Sequence, residues 1–274
     1  MKKFIDSIIN WYGALPYHTG KWRISNLFNF SDKTETVTVR RQGFTWELNL
    51  RDIIQRRIFF NVYEVNEIRL LRGLLKPGDV FLDVGANIGF YSLIASLCTG
   101  PEGSVYSFEP DKDIFRKLCG HIELNSSNNV RAYNIALADY DGEGFLCEKL
   151  EENSGWTHLV DCAGDDSRKV SAVKLDTFLR DNPVDKITLI KIDVEGYELE
   201  VLKGAQDILE KYMPEIIIEL NSNALRRNKT EPIEVIKCLK SYGYEIKEIS
   251  KNKLVSLGEV KNGEVKNLFA HFRG

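Results

Sequence analysis

The segment Asp83-Val84-Gly85-Ala86-Asn87-Ile88-Gly89 has the residue types of a nucleotide-binding turn. It ends the apolar run Val80-Phe81-Leu82-Asp83-Val84 and leads into a helical pattern over 90–97. Glycines let a backbone approach a ligand closely. The start of a helix adds unpaired N–H groups and a positive dipole end, which suit a carboxylate or phosphate. Glu109 lies 20 residues beyond Gly89 and ends the next strand-like run. That is the place of the ribose-binding acid in dinucleotide folds. Dinucleotide sites, however, set three glycines against a pyrophosphate. Here Asp83 replaces the first glycine and Asn87 the middle one. An acid at the turn repels pyrophosphate and suits an ammonium group. S-adenosylmethionine offers that ammonium, a carboxylate for the helix and a ribose for Glu109, so the residues favour it over a nicotinamide dinucleotide. The competing reading is a strand-turn-helix that needs glycine only for packing.

Lys191, Asp193 and Glu195 close a strand-like run over 186–192. Alternation would aim all three to one side while the strand persists. They would stand at the carboxyl edge, where open α/β sheets bind ligands. A cation and two acids so placed shift one another's pKa values. Asp193 or Glu195 is expected to act as general base or to orient an acceptor; equally, one of them could cap the helix that follows Gly196. His158, in Asn153-Ser154-Gly155-Trp156-Thr157-His158, is the runner-up base on a lid or acceptor wall, against the reading of a solvated loop residue. Glu219 ends another strand on the same edge, facing an acceptor or pairing with a lysine. Arg40-Arg41 and Arg56-Arg57 read as solvated charge, with guidance of an anionic acceptor as the alternative. Carboxylates at this edge could hold Mg²⁺. No residue pattern demands a metal, and no CxxC is present.

The elements that must position these residues follow from length and periodicity. A chain of 274 residues allows one large domain or one domain with an extra lobe. Residues 43% hydrophobic and 28% charged suit a globular protein, and 37 basic against 40 acidic groups argue against a generally basic nucleic-acid binder. Five widely spaced cysteines read as free thiols in a reducing cytoplasm. No apolar run reaches the length of a membrane span. Ile5, Ile8, Ile9 and Tyr12 recur at helical spacing, a face that packs on the domain. Residues 1–75 form an accessory lobe: a hairpin through Val37, Val39, Phe44, Trp46 and Leu48, then a helix through Val65, Ile68, Leu71 and Leu75. From 76 to 274 strands and helices alternate, which predicts an α/β sandwich around a mostly parallel sheet. Expected strands include 130–137 and 186–192. One helix should carry Leu199, Leu202, Ile208 and Leu209. Two last strands, 244–249 and 268–272, should pair antiparallel at the final edge through a turn at Asn262-Gly263. An insertion over 141–179 carries its own short strands.

Over 60–220 the chain resembles the FkbM-type methyltransferases of the class I, Rossmann-like S-adenosylmethionine-dependent fold. The likeness rests on an ordered series. It begins with Pro77-Gly78-Asp79 through the glycine turn to Phe90-Tyr91-Ser92. Phe108-Glu109-Pro110 and Asn134-Ile135-Ala136-Leu137-Ala138-Asp139 follow. Then come Lys174-Leu175-Asp176-Thr177-Phe178, Ile190 through Glu198, Leu202-Lys203-Gly204-Ala205 and Ile218-Glu219. The resemblance implies a seven-stranded sheet with an antiparallel terminal hairpin. It implies that Asp83 and Gly85, in the turn shaped by Asn87 and Gly89, hold the methionine end. Glu109 would take the ribose and the stretch at Ala136 the adenine, while Tyr63 and Glu64 could reach over the cofactor, as an acid there does in similar proteins, or lie on the surface of a helix. It also implies methyl transfer, usually to oxygen, on a small-molecule, glycan or natural-product acceptor, leaving S-adenosylhomocysteine. The alternatives are an N-methyltransferase acting on a peptide or amide, and a cofactor-binding subunit without catalysis. Asp193-Val194-Glu195-Gly196 lacks the prolines that amide methylation often uses there.

Overall fold

The computed structural model describes residues 10–17, 20, 21, 23, 36–147, 158–160, 167–251 and 253–273. Alternating Val and Thr make β1 (Thr36–Arg41), which pairs antiparallel with β2 (Phe44–Asn49). Gln42 and Gly43 both take positive φ, as a tight hairpin turn requires. Trp46 and Leu48 are fully buried, and the Trp46 indole donates to the Arg41 carbonyl at 3.0 Å. Two helices follow, α1 (Ile53–Phe59) and α2 (Val65–Leu74). Asp52 caps α1 by accepting from Gln55 N at 2.9 Å. Within the N-terminal helical face, residues 10–14 are helical and Tyr12 packs edge-on against Phe60. Ile5, Ile8 and Ile9 lie outside the described residues.

The main sheet starts with β3 (Val80–Val84), whose residues are almost all buried, as in a strand covered on both faces. Helix α3 (Phe90–Thr99), β4 (Ser104–Phe108), α4 (Lys112–Leu124) and β5 (Val130–Tyr133) extend the parallel alternation. A second sheet of order β6-β9-β7-β8 follows, from β6 (Ala136–Leu137), β7 (Gly142–Cys147), β8 (His158–Val160) and β9 (Ser167–Val173). Helix α5 (Leu175–Asp181) then leads to β10 (Leu189–Ile192), α6 (Glu198–Lys203), α7 (Gln206–Tyr212) and β11 (Glu215–Asn221). Helices α8 (Ser222–Arg227) and α9 (Pro232–Ser241) precede β12 (Tyr244–Ser250), β13 (Lys253–Ser256) and β14 (Val265–Phe272). The main sheet runs β13-β12-β14-β11-β10-β3-β4-β5. Strand order reverses between β3 and β10, so the chain leaves their carboxyl ends in opposite directions and opens a crevice there.

The mostly parallel sheet with antiparallel terminal strands is as expected, and four details differ. The main sheet has eight strands, because β13 forms a hairpin with β12 and becomes the edge. The antiparallel pair therefore lies further in, with β14 between β11 and β12, and Asn262-Gly263 belongs to the run into β14. The expected strand over 130–137 is cut at Tyr133, where the Asn134 side chain donates to the carbonyls of Glu109 and Pro110 and diverts the chain into the second sheet. The single helix expected through Leu199 to Leu209 is two, α6 and α7. A Cβ on Gly204 would stand 1.9 Å from the Ala138 carbonyl oxygen, so the chain passes this point without a side chain and restarts the helix. No helix among the described residues is long and apolar enough to cross a membrane.

Candidate functional site

The crevice holds a cavity of about 460 Å³, within the size range of small-molecule sites. Its floor is laid by the ends of β3 and β10, in register with Asp83 beside Lys191. The turn after β3 is tied down by Gly85 N and Ala86 N, both donating to Phe108 O, and by Asp193 N, donating to Val84 O. Gly85 has φ +82°, and a Cβ there would lie 1.9 Å from the Asp193 carbonyl oxygen. The two loops can therefore meet only over a glycine.

The electrostatics of the floor are those of crowded acids around one cation. Lys191 is 1% exposed, and its ammonium donates to Asp193 Oδ2 at 3.1 Å and lies 5.2 Å from the Tyr91 ring centre. Burial alone would lower its pKa. The carboxylates of Asp193, Glu64 and Glu219 outweigh that and hold it above its ordinary value. Glu64 accepts from the Tyr91 hydroxyl; burial raises its pKa to about 7, against the pull of Lys191. Burial, with Asp193 and Glu64 as like charges, pushes Glu219 well above the carboxylate range. Asp83 accepts from Ser92 Oγ at 2.5 Å and Ser92 from Ser107 at 2.8 Å; burial lifts Asp83 to about 6. Glu64, Asp193 and Glu219 each bring one oxygen within 4.8 Å of the others, close enough that they could hold a metal ion.

At the other end of the turn, Glu109 accepts from Asn87 N and Asp111 N, each at 2.9 Å, and burial raises it to about 7. Asn87 has φ +50° and its own carboxamide accepts from Ile88 N. Gly89 is the left-handed N-cap of α3. Ala136 lines the cavity with Ile135 and Leu137. His121 joins the Ile88 carbonyl at 2.9 Å to the Glu47 backbone N at 3.2 Å, so this buried imidazole braces the hairpin against the glycine turn.

The structure brings Glu64, Asp83, Gly85, Asn87, Glu109, Ala136, Asp193 and Glu195 to one cavity. Gly89 does not line it; a Cβ there would meet the Leu118 side chain at 2.6 Å. Three expectations change. Glu195 does not continue the alternation of Lys191 and Asp193, because β10 ends at Ile192 and Glu195 takes φ +52°. The N-cap position of α6 falls to Tyr197, not to Asp193 or Glu195, and Glu198 reaches back to accept from Gly196 N at 3.0 Å and Val194 N at 3.4 Å. Arg41 is no solvated charge, for it is buried, donates to Phe59 O and Asn10 Oδ1 and lies over the Phe59 ring. His158 falls on β8 opposite Cys147; its side chain lies outside the described residues, as do 153–157.

Sequence reasoning missed Glu198 as the brace of the 193–196 turn. The signal was an acid two residues after a glycine at a strand end. Glu198→Ala is expected to cost about 1–3 kcal/mol by leaving two N–H groups without their acceptor. It should also lower turnover, because Asp193 sits at the base of that turn. Thermal unfolding and initial rates on Glu198→Ala and Glu198→Gln check this, the amide retaining an acceptor oxygen and most of the stability.

A mostly parallel sheet with a switch-point crevice is the architecture of a class I methyltransferase. A family model described as the Methyltransferase FkbM domain matches residues 83–246, and the chain belongs to that family, which makes it an S-adenosylmethionine-dependent methyltransferase. The hexuronic acid methyltransferase AglP of Haloferax volcanii is 29% identical over 202 residues, covering 73% of this chain and 78% of that protein. The 31-O-demethyl-FK506 methyltransferase FkbM of Streptomyces tacrolimicus is 28% identical over 205 residues, covering 63% of this chain and 75% of its own. Among solved structures, methyltransferase FkbM of Methylobacillus flagellatus aligns with TM-score 0.48 at 16% identity, over 79% of this chain and 54% of that one.

Proposed function

We propose that the cavity binds S-adenosylmethionine and that the enzyme methylates a hydroxyl of a sugar, glycan or natural-product acceptor. The observation that carries this reading is the charge of the lining: Glu64, Asp83, Asp193 and Glu219 surround a single buried lysine. Such a floor repels pyrophosphate and fits a ligand bearing an ammonium and a sulfonium. The relatives named for hexuronic acid and FK506 support an acceptor outside nucleic acids.

When bound, the cofactor supplies an electrophilic methyl with its leaving group already in place. Asp83 and Gly85 then hold the methionine end, with Glu64 above it. Glu109 takes the ribose hydroxyls on the lone pairs left by its two backbone bonds, one on each oxygen. Ala136 and its neighbours flank the adenine. Asp193 accepts the hydroxyl proton, its carboxylate aimed by the Lys191 ammonium; Glu195, beyond the turn, orients the acceptor. His158 stays the alternative base on the second sheet. Glu64, Asp193 and Glu219 could together hold Mg²⁺, which would acidify the hydroxyl. Turnover before and after exhaustive chelation reads that contribution.

The raised carboxyls give the binding a pH signature. In the unliganded protein Asp83 titrates at about 6 and Glu64 and Glu109 at about 7. A cationic ligand favours their charged forms and expels their protons. Affinity for S-adenosylmethionine should therefore rise as pH rises through 6 to 7, and fall again once the ligand's own α-ammonium loses its proton near pH ~8. S-adenosylhomocysteine, without the sulfonium charge, should show a shallower rise. Calorimetry in buffers of different ionisation enthalpy counts the released protons, and a flat profile for both ligands would refute the assignment of these acids. Transfer of label from methyl-labelled S-adenosylmethionine to fractions of a cell extract, with mass spectrometry of the product, tests the reaction itself.

A further inference from the structure

Helix α1 brings a charge to the cavity that the methyl donor does not need. Ile53, Ile54 and Arg57 all line the cavity, and the spacing of 53, 54 and 57 puts them on one helical face. The helix is held at one end by the Asp52 cap. At the other, the Arg57 carbonyl accepts from Val62 N at 3.0 Å. The backbone of Arg57 is thus fixed, while the residue is half-buried and its guanidinium has no hydrogen-bond or ion-pair partner among the described residues.

Six carboxylates line the cavity: Glu64, Asp83, Glu109, Asp193, Glu195 and Glu219. Of the two cations, Lys191 is buried in its pair with Asp193, which leaves Arg57 as the unpaired one among the described lining residues. It shares its helical wall of the cavity with Ile53 and Ile54. This wall lies outside residues 83–246, the part that matches the family domain and carries the glycine turn and Glu109. A planar guanidinium in such a place fits the two oxygens of a carboxylate or phosphate.

We propose that Arg57 is the specificity residue for an acceptor bearing an oxyanion, a carboxylate or a phosphate, set apart from the hydroxyl that is methylated. The inference rests on the methyltransferase reading above and names the substrate class of that site. The acid floor excludes the anion from the reacting end, and Arg57 receives it at the far end. A neutral hydroxyl therefore faces Asp193.

The test is calorimetric titration of the protein, first with S-adenosylhomocysteine and then, once loaded, with three sugars. The sugars are methyl glucoside, methyl glucuronoside and glucose 6-phosphate. Both anionic sugars, or one of them, should bind roughly tenfold or more tighter than the neutral one, and the preferred anion tells carboxylate from phosphate. The advantage should shrink with added salt and vanish in Arg57→Glu. Arg57→Lys should keep part of it, and S-adenosylhomocysteine affinity should be unchanged in both variants. If the loaded protein shows no preference for either anion, or if Arg57→Glu leaves the preference intact, the inference falls while the methyltransferase reading stands. If S-adenosylhomocysteine itself does not bind, both fall together.

Discussion

Asp193→Asn is expected to slow methyl transfer by about 10²–10⁴-fold, the contribution of a positioned base, with little change in cofactor affinity. The substitution keeps the size of the side chain and removes its charge. Lys191 would lose its 3.1 Å partner but would keep Glu64 and Glu219 as nearby counter-charges. The stability loss should therefore fall short of the about 3–5 kcal/mol of a buried ion pair broken outright. The comparison that isolates the base is Glu195→Gln. Glu195 sits after the strand has ended, in a left-handed residue, so its loss should act mainly on acceptor affinity. Cofactor binding, melting and turnover are measured separately on each variant. Full turnover in both would move the proton elsewhere, with His158 next in line.

Gly85→Ala should have the largest effect on cofactor binding. A Cβ would meet the Asp193 carbonyl oxygen at 1.9 Å, from a residue held at φ +82°. Left-handed backbone costs an alanine about 1–2 kcal/mol, and overpacking adds about 1–3 kcal/mol. Relief requires the β3 and β10 loops to separate. Separation pulls Asp193 N from Val84 O and moves both the turn and the base. The expected outcome is a lower melting temperature together with loss of detectable S-adenosylhomocysteine binding. Gly263→Ala serves as the comparison: its φ is also positive, but a Cβ there meets no heavy atom within 4 Å. It should be milder and leave binding intact.

Local chemistry made the glycine-turn side of the cavity legible. A glycine turn between an apolar strand and a helix, with an acid at the end of the next strand, specifies a site through backbone shape and a few charges. Those residues sit within short loops at neighbouring strand ends, where sequence spacing translates directly into distance. The β1–β2 hairpin was legible for a similar reason, since alternation and Gln42-Gly43 act over a few residues. What stayed hidden depends on contacts distant in sequence. Gly204 breaks a helical pattern only because Ala138 passes behind it. Asn134 ends β5 because it finds carbonyls 24 and 25 residues upstream. Arg41 and Arg57 look alike as members of charged pairs. Only the fold buries one against Phe59 and sets the other in the wall of the cavity. Glu64 and Glu219 stand well over a hundred residues apart in the chain; one caps α2 and the other lies on β11, so their convergence on Asp193 follows from how these elements pack, not from spacing.

The central claim is that the acid-lined crevice between β3 and β10 is built for a cationic methyl donor. Equilibrium binding on the purified protein near neutral pH tests it most directly, with S-adenosylmethionine, S-adenosylhomocysteine and a nicotinamide dinucleotide titrated side by side. Saturable heat is expected with the first two and none with the third. Uptake of the dinucleotide without binding of either sulfur ligand would contradict it.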